Sequence, residues 1–217
     1  MHARTSRAAK KPSTTAAGRD RAILKAALQE FTRSGFAAAR MEDIARKAGV
    51  AKGTIYLRFK DKEALFEAIV RGEISPLVSS ATAPPEPGEP IRVFLERTII
   101  PLVSEPGRSR RTAVIRLLIG EASRFPKLAE FYYRTIIEPG LAAFGRLAQQ
   151  AFATGELSTD AALRYPHLLV APAIVGLLWS GLFDRFCPID LEDMVRAHFK
   201  VLFAGQSREA KRTARKG

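Results

Sequence analysis

Residues 41–59 read MEDIARKAGVAKGTIYLRF, and the order of residue types in this stretch decides the fold. Counted from Met41, Ala45 is the fifth residue, Gly49 the ninth and Ile55 the fifteenth. Two short helices crossing at a tight corner need these types at these places. A small residue at the fifth position lets the helix axes approach. Glycine at the ninth takes the left-handed turn conformation at little steric cost. The branched apolar side chains of Ile44, Val50 and Ile55 tie the corner to a helix in front of it. Lys47, Lys52, Thr54, Tyr56, Arg58 and Lys60 are left to point outward. The stretch therefore predicts a helix-turn-helix, with helices over about 41–48 and 52–59.

The flanks extend the helical pattern in both directions. Upstream, Ile23, Ala26, Ala27 and Phe31 recur at three- and four-residue spacing from Arg19 onward, and Ser34-Gly35 ends that run. Downstream, Asp61 is placed to cap a longer helix with Leu65, Phe66, Ile69 and Val70 on one side. The proline-rich segment 83–90 (APPEPGEP) forces a loop. Beyond it, helical patterns cover about 91–104, 109–124, 126–153, 160–183 and 190–204. Pro139, Pro166 and Pro172 fall inside them and predict kinks or restarts. No alternating strand pattern and no internal repeat interrupts the series. The predicted fold is all-α, with about nine helices.

Charge is distributed unevenly along the 217 residues, whose net charge is +13. Residues 1–70 hold fifteen Lys/Arg against seven Asp/Glu, a net of +8, and residues 205–217 hold five against one, a net of +4. The 134 residues between them are nearly balanced, at +1. A basic end on a neutral body suits a polyanion such as nucleic acid. A membrane surface suits it less, because the basic segments lack a continuous apolar face with aromatic anchors.

The series IAxxAGVxxGTxYxxFxxKExL, present from Ile44-Ala45 to Lys62-Glu63-Ala64-Leu65, resembles the DNA-binding signature of the TetR family of bacterial regulators. The resemblance covers roughly residues 19–70. It implies a three-helix DNA head, a connecting fourth helix, and a body with an effector pocket and a two-helix dimer face. It also implies organisation into a disordered basic arm (1–18), a DNA-binding domain (19–65), a ligand-binding and dimerisation domain (66–204) and a basic flexible tail (205–217). The chain departs from the family at Ala51, where members often carry Ser at the start of the recognition helix, so a hydroxyl contact to phosphate is absent.

Within the motif, Lys52, Thr54, Tyr56 and Arg58 fall on or near the exposed side of the recognition helix. That helix has no Asn or Gln, so Lys52 or Arg58 on guanine is the expected base contact. Tyr56 can donate to a phosphate or pack on a thymine methyl. The amide of Gly53 can approach a phosphate closely. Arg40 and Lys62 are expected to clamp the DNA backbone; a solvated helix face is the alternative, strongest for Arg40.

Other chemistry finds little support. His2, His167 and His198 are scattered, and no HExxH, paired-Cys, P-loop, GxGxxG or GxSxG pattern occurs, so neither an enzyme nor a metal or cofactor site is expected. Cys187 cannot form an intrachain disulfide and reads as an inert loop thiol, with redox sensing the lesser alternative. With no apolar run of the ~18–20 residues that span a bilayer, the chain is expected in the cytoplasm rather than in a membrane. Phe94, Leu117, Phe125, Tyr132, Phe144 and Trp179 are candidates for lining an effector pocket, with Arg116 and Glu121 as its polar groups. Simple core packing is the competing role for each. Residues 168–183 (LLVAPAIVGLLWSGLF) are apolar around nearly the whole helix circumference. That predicts a homodimer face, with Ala171, Ala173, Gly176 and Gly181 allowing a mate to approach; burial within one subunit is the alternative. The expected function is a dimeric, operator-binding repressor of palindromic double-stranded DNA, released by a small apolar or amphipathic effector. A regulator without an effector is the alternative.

Overall fold

The computed structural model describes residues 15–105 and 107–203. The expected arm and tail thus fall mostly outside the described residues. The last part of the arm, however, is helical: α1 (Ala16–Ala38) starts three residues before Arg19, because the Thr15 hydroxyl caps it by accepting from the Gly18 N–H at 3.2 Å. Ile23, Ala26, Ala27, Leu28 and Phe31 are its buried face. At Gly35 the helix breaks, with φ +77°, a backbone state that only glycine enters without strain.

α2 (Met41–Ala48) and α3 (Lys52–Arg58) form the corner. α4 (Lys62–Glu73) is capped by Asp61, whose carboxylate accepts from the Ala64 N–H at 2.8 Å. After Ile74 the chain turns into α5 (Ser75–Thr82), where Pro76 occupies the first turn and its missing N–H costs nothing. The loop 83–90 leads to α6 (Ile91–Val103) and α7 (Arg108–Glu121).

α8 (Pro126–Tyr132) and α9 (Glu138–Ala153) are joined by a π turn, Tyr133–Ile137. Pro139 explains it: proline has no N–H to bond the carbonyl four residues back, and its ring crowds that carbonyl, so the wider turn absorbs the mismatch. The expected run over 160–183 is likewise divided by its prolines. It splits into the single turn α10 (Ala161–Arg164), a 3-10 turn Pro166–Leu169, and α11 (Ala171–Phe183). Last comes α12 (Leu191–Leu202), capped by Asp190, whose carboxylate accepts from the Asp193 N–H at 3.0 Å. The described residues contain no strand.

Two apolar clusters hold these elements. One lies wholly in the body, around Phe94, Leu95, Phe144, Leu147, Leu177 and Phe199. The other gathers Phe31, Phe36, Ile44, Ile55, Leu65 and Phe66 from α1–α4, and takes in Val114 and Leu117 of α7, Leu128 of α8 and Ile136 of the π turn. Side chains of the second half of the chain thus complete the core of the N-terminal helices.

Candidate nucleic-acid interface and body cavity

The corner forms as its sequence requires. Gly49 is left-handed (φ 68°), and the Val50 N–H closes on the Ala45 carbonyl at 3.0 Å. Ile44, Ala45 and Ile55 are buried. Turning those three inward leaves Lys52, Gly53, Tyr56, Leu57 and Arg58 exposed on α3, with Thr54 half-buried and Arg40 exposed at the start of α2. A Cβ built at Gly53 would meet no atom of the described residues within 4 Å, so packing among them does not demand a glycine there. The residue missed by sequence reasoning is Leu57, 87% exposed in the middle of α3. Its offset of two residues from the buried Ile55 puts it on the opposite side of the helix, so helical spacing was the signal that could have found it.

Several of the cations on this surface hold internal carboxylates. Lys52 Nζ lies 2.9 Å from Glu42 Oε1, and the same oxygen accepts from the Tyr56 hydroxyl at 3.3 Å. The Lys52 hydrogen bond holds the Glu42 carboxyl below the usual range, and Glu42 in turn raises Lys52. Arg58 Nε donates to Asp20 Oδ1 at 2.7 Å, with a second bond from Nη2 to Oδ2, which raises the guanidinium further. Lys62 donates to the carbonyls of Phe36 (2.6 Å) and Ala37 (2.8 Å) and sits 5.0 Å over the Phe36 ring, so two of its three N–H groups fasten the break in α1. Lys47, expected to point outward, instead pairs with buried Glu30, which Ser34 and Arg33 also contact. Those bonds, led by the one from Lys47, bring Glu30 down to about 2.

A cavity of about 350 Å³ lies in the body between the end of α4, α5, α6, α7, the π turn, α9 and α11. Of the eight sequence candidates, Tyr132 and Phe144 line it. The other six do not. Phe94 is core. Leu117 joins the cluster shared with α1–α4. Phe125 stacks edge-on against Phe36 at 4.9 Å. Arg116 Nη1 donates to the Gly181 carbonyl at 2.9 Å. Trp179 packs on Phe183 and donates its indole N–H to the Cys187 carbonyl at 2.8 Å. Glu121 reaches out of the body altogether: its Oε1 accepts from the Phe36 N–H at 3.1 Å, beside the Gly35 break. Helical spacing identifies the buried side of a helix, not whether that side meets packing or space. His167, which is not among the sequence candidates, borders the cavity, as do Ile74, Val78 and Ile137.

The glycines of α11 also differ from expectation. A Cβ at Gly176 would collide with Met194 (2.8 Å) and Leu191 (2.9 Å), and one at Gly181 with Thr112 (2.6 Å). These glycines seat α12 and α7 of their own chain. The apolar side chains that α11 leaves exposed are Val175, Leu182 and Phe183.

Comparison with known proteins agrees along most of the chain. A family model described as "Bacterial regulatory proteins, tetR family" matches residues 23–69, and one described as "Tetracyclin repressor-like, C-terminal domain" matches residues 94–198. The uncharacterized HTH-type transcriptional regulator YhgD of Bacillus subtilis (strain 168) is 35% identical over 85 residues, 39% of this chain and 44% of its own length. The HTH-type transcriptional regulator UidR of Escherichia coli (strain K12) is 29% identical over 177 residues, covering 80% of this chain and 83% of UidR. The match thus spans less than half of YhgD and most of UidR. A solved structure, the SmeT–triclosan complex, has the same fold, with a TM-score of 0.69 at 21% identity over 86% of this chain and 90% of that one.

Proposed function

Because the chain belongs to the TetR family of DNA-binding transcriptional regulators rather than to a family of enzymes, we propose that it is a homodimeric repressor of a palindromic operator, released by a small apolar effector. The observation that carries this reading is the exposed row Lys52, Gly53, Tyr56, Leu57 and Arg58 on a helix anchored from behind by buried Ile55. In this reading α3 enters the major groove. Lys52 and Arg58 exchange Glu42 and Asp20 for guanine edges or phosphates, and Leu57 or Tyr56 meets a thymine methyl. A phosphate approaches the backbone at Gly53, where no side chain intervenes. Thr54, Arg40 and the remaining N–H of Lys62 position the duplex without reading it.

The effector half of the reading rests on the cavity, whose volume lies within the range of small-molecule sites. Triclosan in SmeT is a precedent for a small molecule on this fold. Selection of bound fragments from a random double-stranded DNA pool tests the operator half. We expect a near-palindrome whose selection weakens steeply with salt, log affinity falling by about 0.9 per phosphate neutralised for each tenfold rise in salt. Lys52→Ala should relax one position of the selected site and cost about 1–3 kcal/mol. A pool that yields no common sequence overturns the assignment of α3.

A further inference from the structure

The lining of the body cavity restricts what can fill it. Among the described residues no Lys, Arg, Asp or Glu borders it, and only Thr98, Tyr132 and His167 offer side-chain hydrogen bonds. Thr98 already donates its proton to the Phe94 carbonyl at 2.9 Å, within its own helix. His167 is exposed, as are Ile137 and Val175, so these three mark the mouth where the cavity meets solvent. Among the described residues, that leaves Tyr132 as the lining residue whose hydroxyl proton is not given to another group of the protein. Burial, with no hydrogen bond or charge to offset it, pushes this phenol up to about 12, so it remains a neutral O–H throughout the physiological range. A carboxylate or ammonium entering such a lining loses its hydration and finds no counter-charge, whereas a carbonyl or ether oxygen gains a partner.

Resting on the effector reading above, we infer that the cavity takes an uncharged, largely apolar molecule that presents one hydrogen-bond acceptor to Tyr132, and rejects acids and amines of the same shape. Four probes of nearly common shape separate these properties: benzophenone, diphenylmethane, diphenylacetate and benzhydrylamine. Binding to the full chain is measured by titration calorimetry at neutral pH. Benzophenone should bind about three- to tenfold more tightly than diphenylmethane, the ratio expected of one net hydrogen bond, and more than tenfold more tightly than either charged probe. Tyr132→Phe should erase the difference between benzophenone and diphenylmethane while leaving diphenylmethane binding unchanged. Charged probes that bind as well as the ketone, a ratio that survives Tyr132→Phe, or saturable binding by neither neutral probe would each overturn the inference. Release of selected operator DNA is read in parallel. Diphenylacetate that binds and releases DNA would overturn the ligand class but keep the effector reading. Benzophenone that binds through Tyr132 without releasing DNA would support the class and count against release by effector.

Discussion

Glu42 holds Lys52 and Tyr56 together, so the outward face of α3 is partly neutralised before any nucleic acid arrives. Glu42→Gln should therefore raise affinity for operator and random DNA alike by several-fold, most at low salt, where a nearby negative charge is least screened. A filter-binding or anisotropy series over salt would check this; unchanged affinity would mean that the pair is not in competition with DNA. Glu30 behaves differently because it is 2% exposed and held by Lys47, Ser34 and Arg33. Its folded pKa of about 2 lies below the ordinary 4.5, so its stabilisation is fully present above about pH 4.5 and is lost as pH falls toward 2. With Lys47 and Arg33 partly in solvent, screening leaves this on the order of 2 kcal/mol. The unfolding free energies from urea titrations at pH 5 and pH 2.5 should differ less in Glu30→Gln than in the parent, by most of that amount. Ala51 is a third residue-scale case. It stands at the N-cap of α3 and makes no side-chain cap bond. Ala51→Ser should stabilise the head by about 0.5–1 kcal/mol and raise the thermal midpoint by roughly 1–4 °C.

At the scale of elements, α7 touches both halves of the chain. Ile115 borders the cavity, Val114 and Leu117 complete the core of the N-terminal helices, and Glu121 at its end bonds Phe36 across 85 residues of sequence. Removing that carboxylate orphans the Phe36 N–H next to the break in α1. Glu121→Ala should cost about 1–3 kcal/mol, whereas Glu121→Gln, which keeps the acceptor, should lie near the parent in thermal denaturation. Equal losses would assign the effect to the carboxylate's charge rather than to the hydrogen bond. The same element shows what sequence can disclose. The corner of α2 and α3 was legible because its demands are local and steric, each tied to a fixed place: Ala45, Gly49, Ile55. The proline positions likewise foretold kinks or restarts, which the structure realises as a π turn before Pro139 and breaks at Pro166 and Pro172. Partners across the fold left no such trace. Arg116 and Glu121 are charges on an apolar helix whichever groups they meet, and they meet the Gly181 carbonyl and the Phe36 N–H rather than a ligand. Phe94 and Phe144 are both buried at helical spacing, yet Phe144 borders the cavity and Phe94 does not.

For the whole molecule, the question is how two heads come to lie on one DNA duplex. The buried side of α11, with Ala173, Gly176 and Leu177, is spent on its own chain. Its other side exposes Val175 and Leu182, seven residues and so two turns apart, with Phe183 beside them, and α12 adds Val201 at 74% exposure. Water tolerates such a stripe poorly, and a second copy meeting it about a two-fold axis would bury it isologously. Two heads so related can read one face of the duplex only if their α3 helices sit about 34–36 Å apart, or a near multiple of it, which is why the proposed operator is palindromic. Because α11 is part of the cavity wall, a molecule in the cavity can also bear on this spacing. A hundredfold loss of operator affinity requires only about 2.7 kcal/mol of differential effector binding. The mutation that tests the interface has to lie on the exposed side. Gly176→Glu would strike Met194 and Leu191 of the same chain and unfold the body before saying anything about a dimer. Leu182→Glu instead places a charge in the stripe, off the cavity lining, at a position 53% exposed in the single chain. We expect it to keep the parent's helical circular dichroism, to sediment as a monomer at micromolar concentration, and to bind a half-site about as well as the full palindrome. A Leu182→Glu protein that remains a dimer and still prefers the full palindrome would move the interface away from α11.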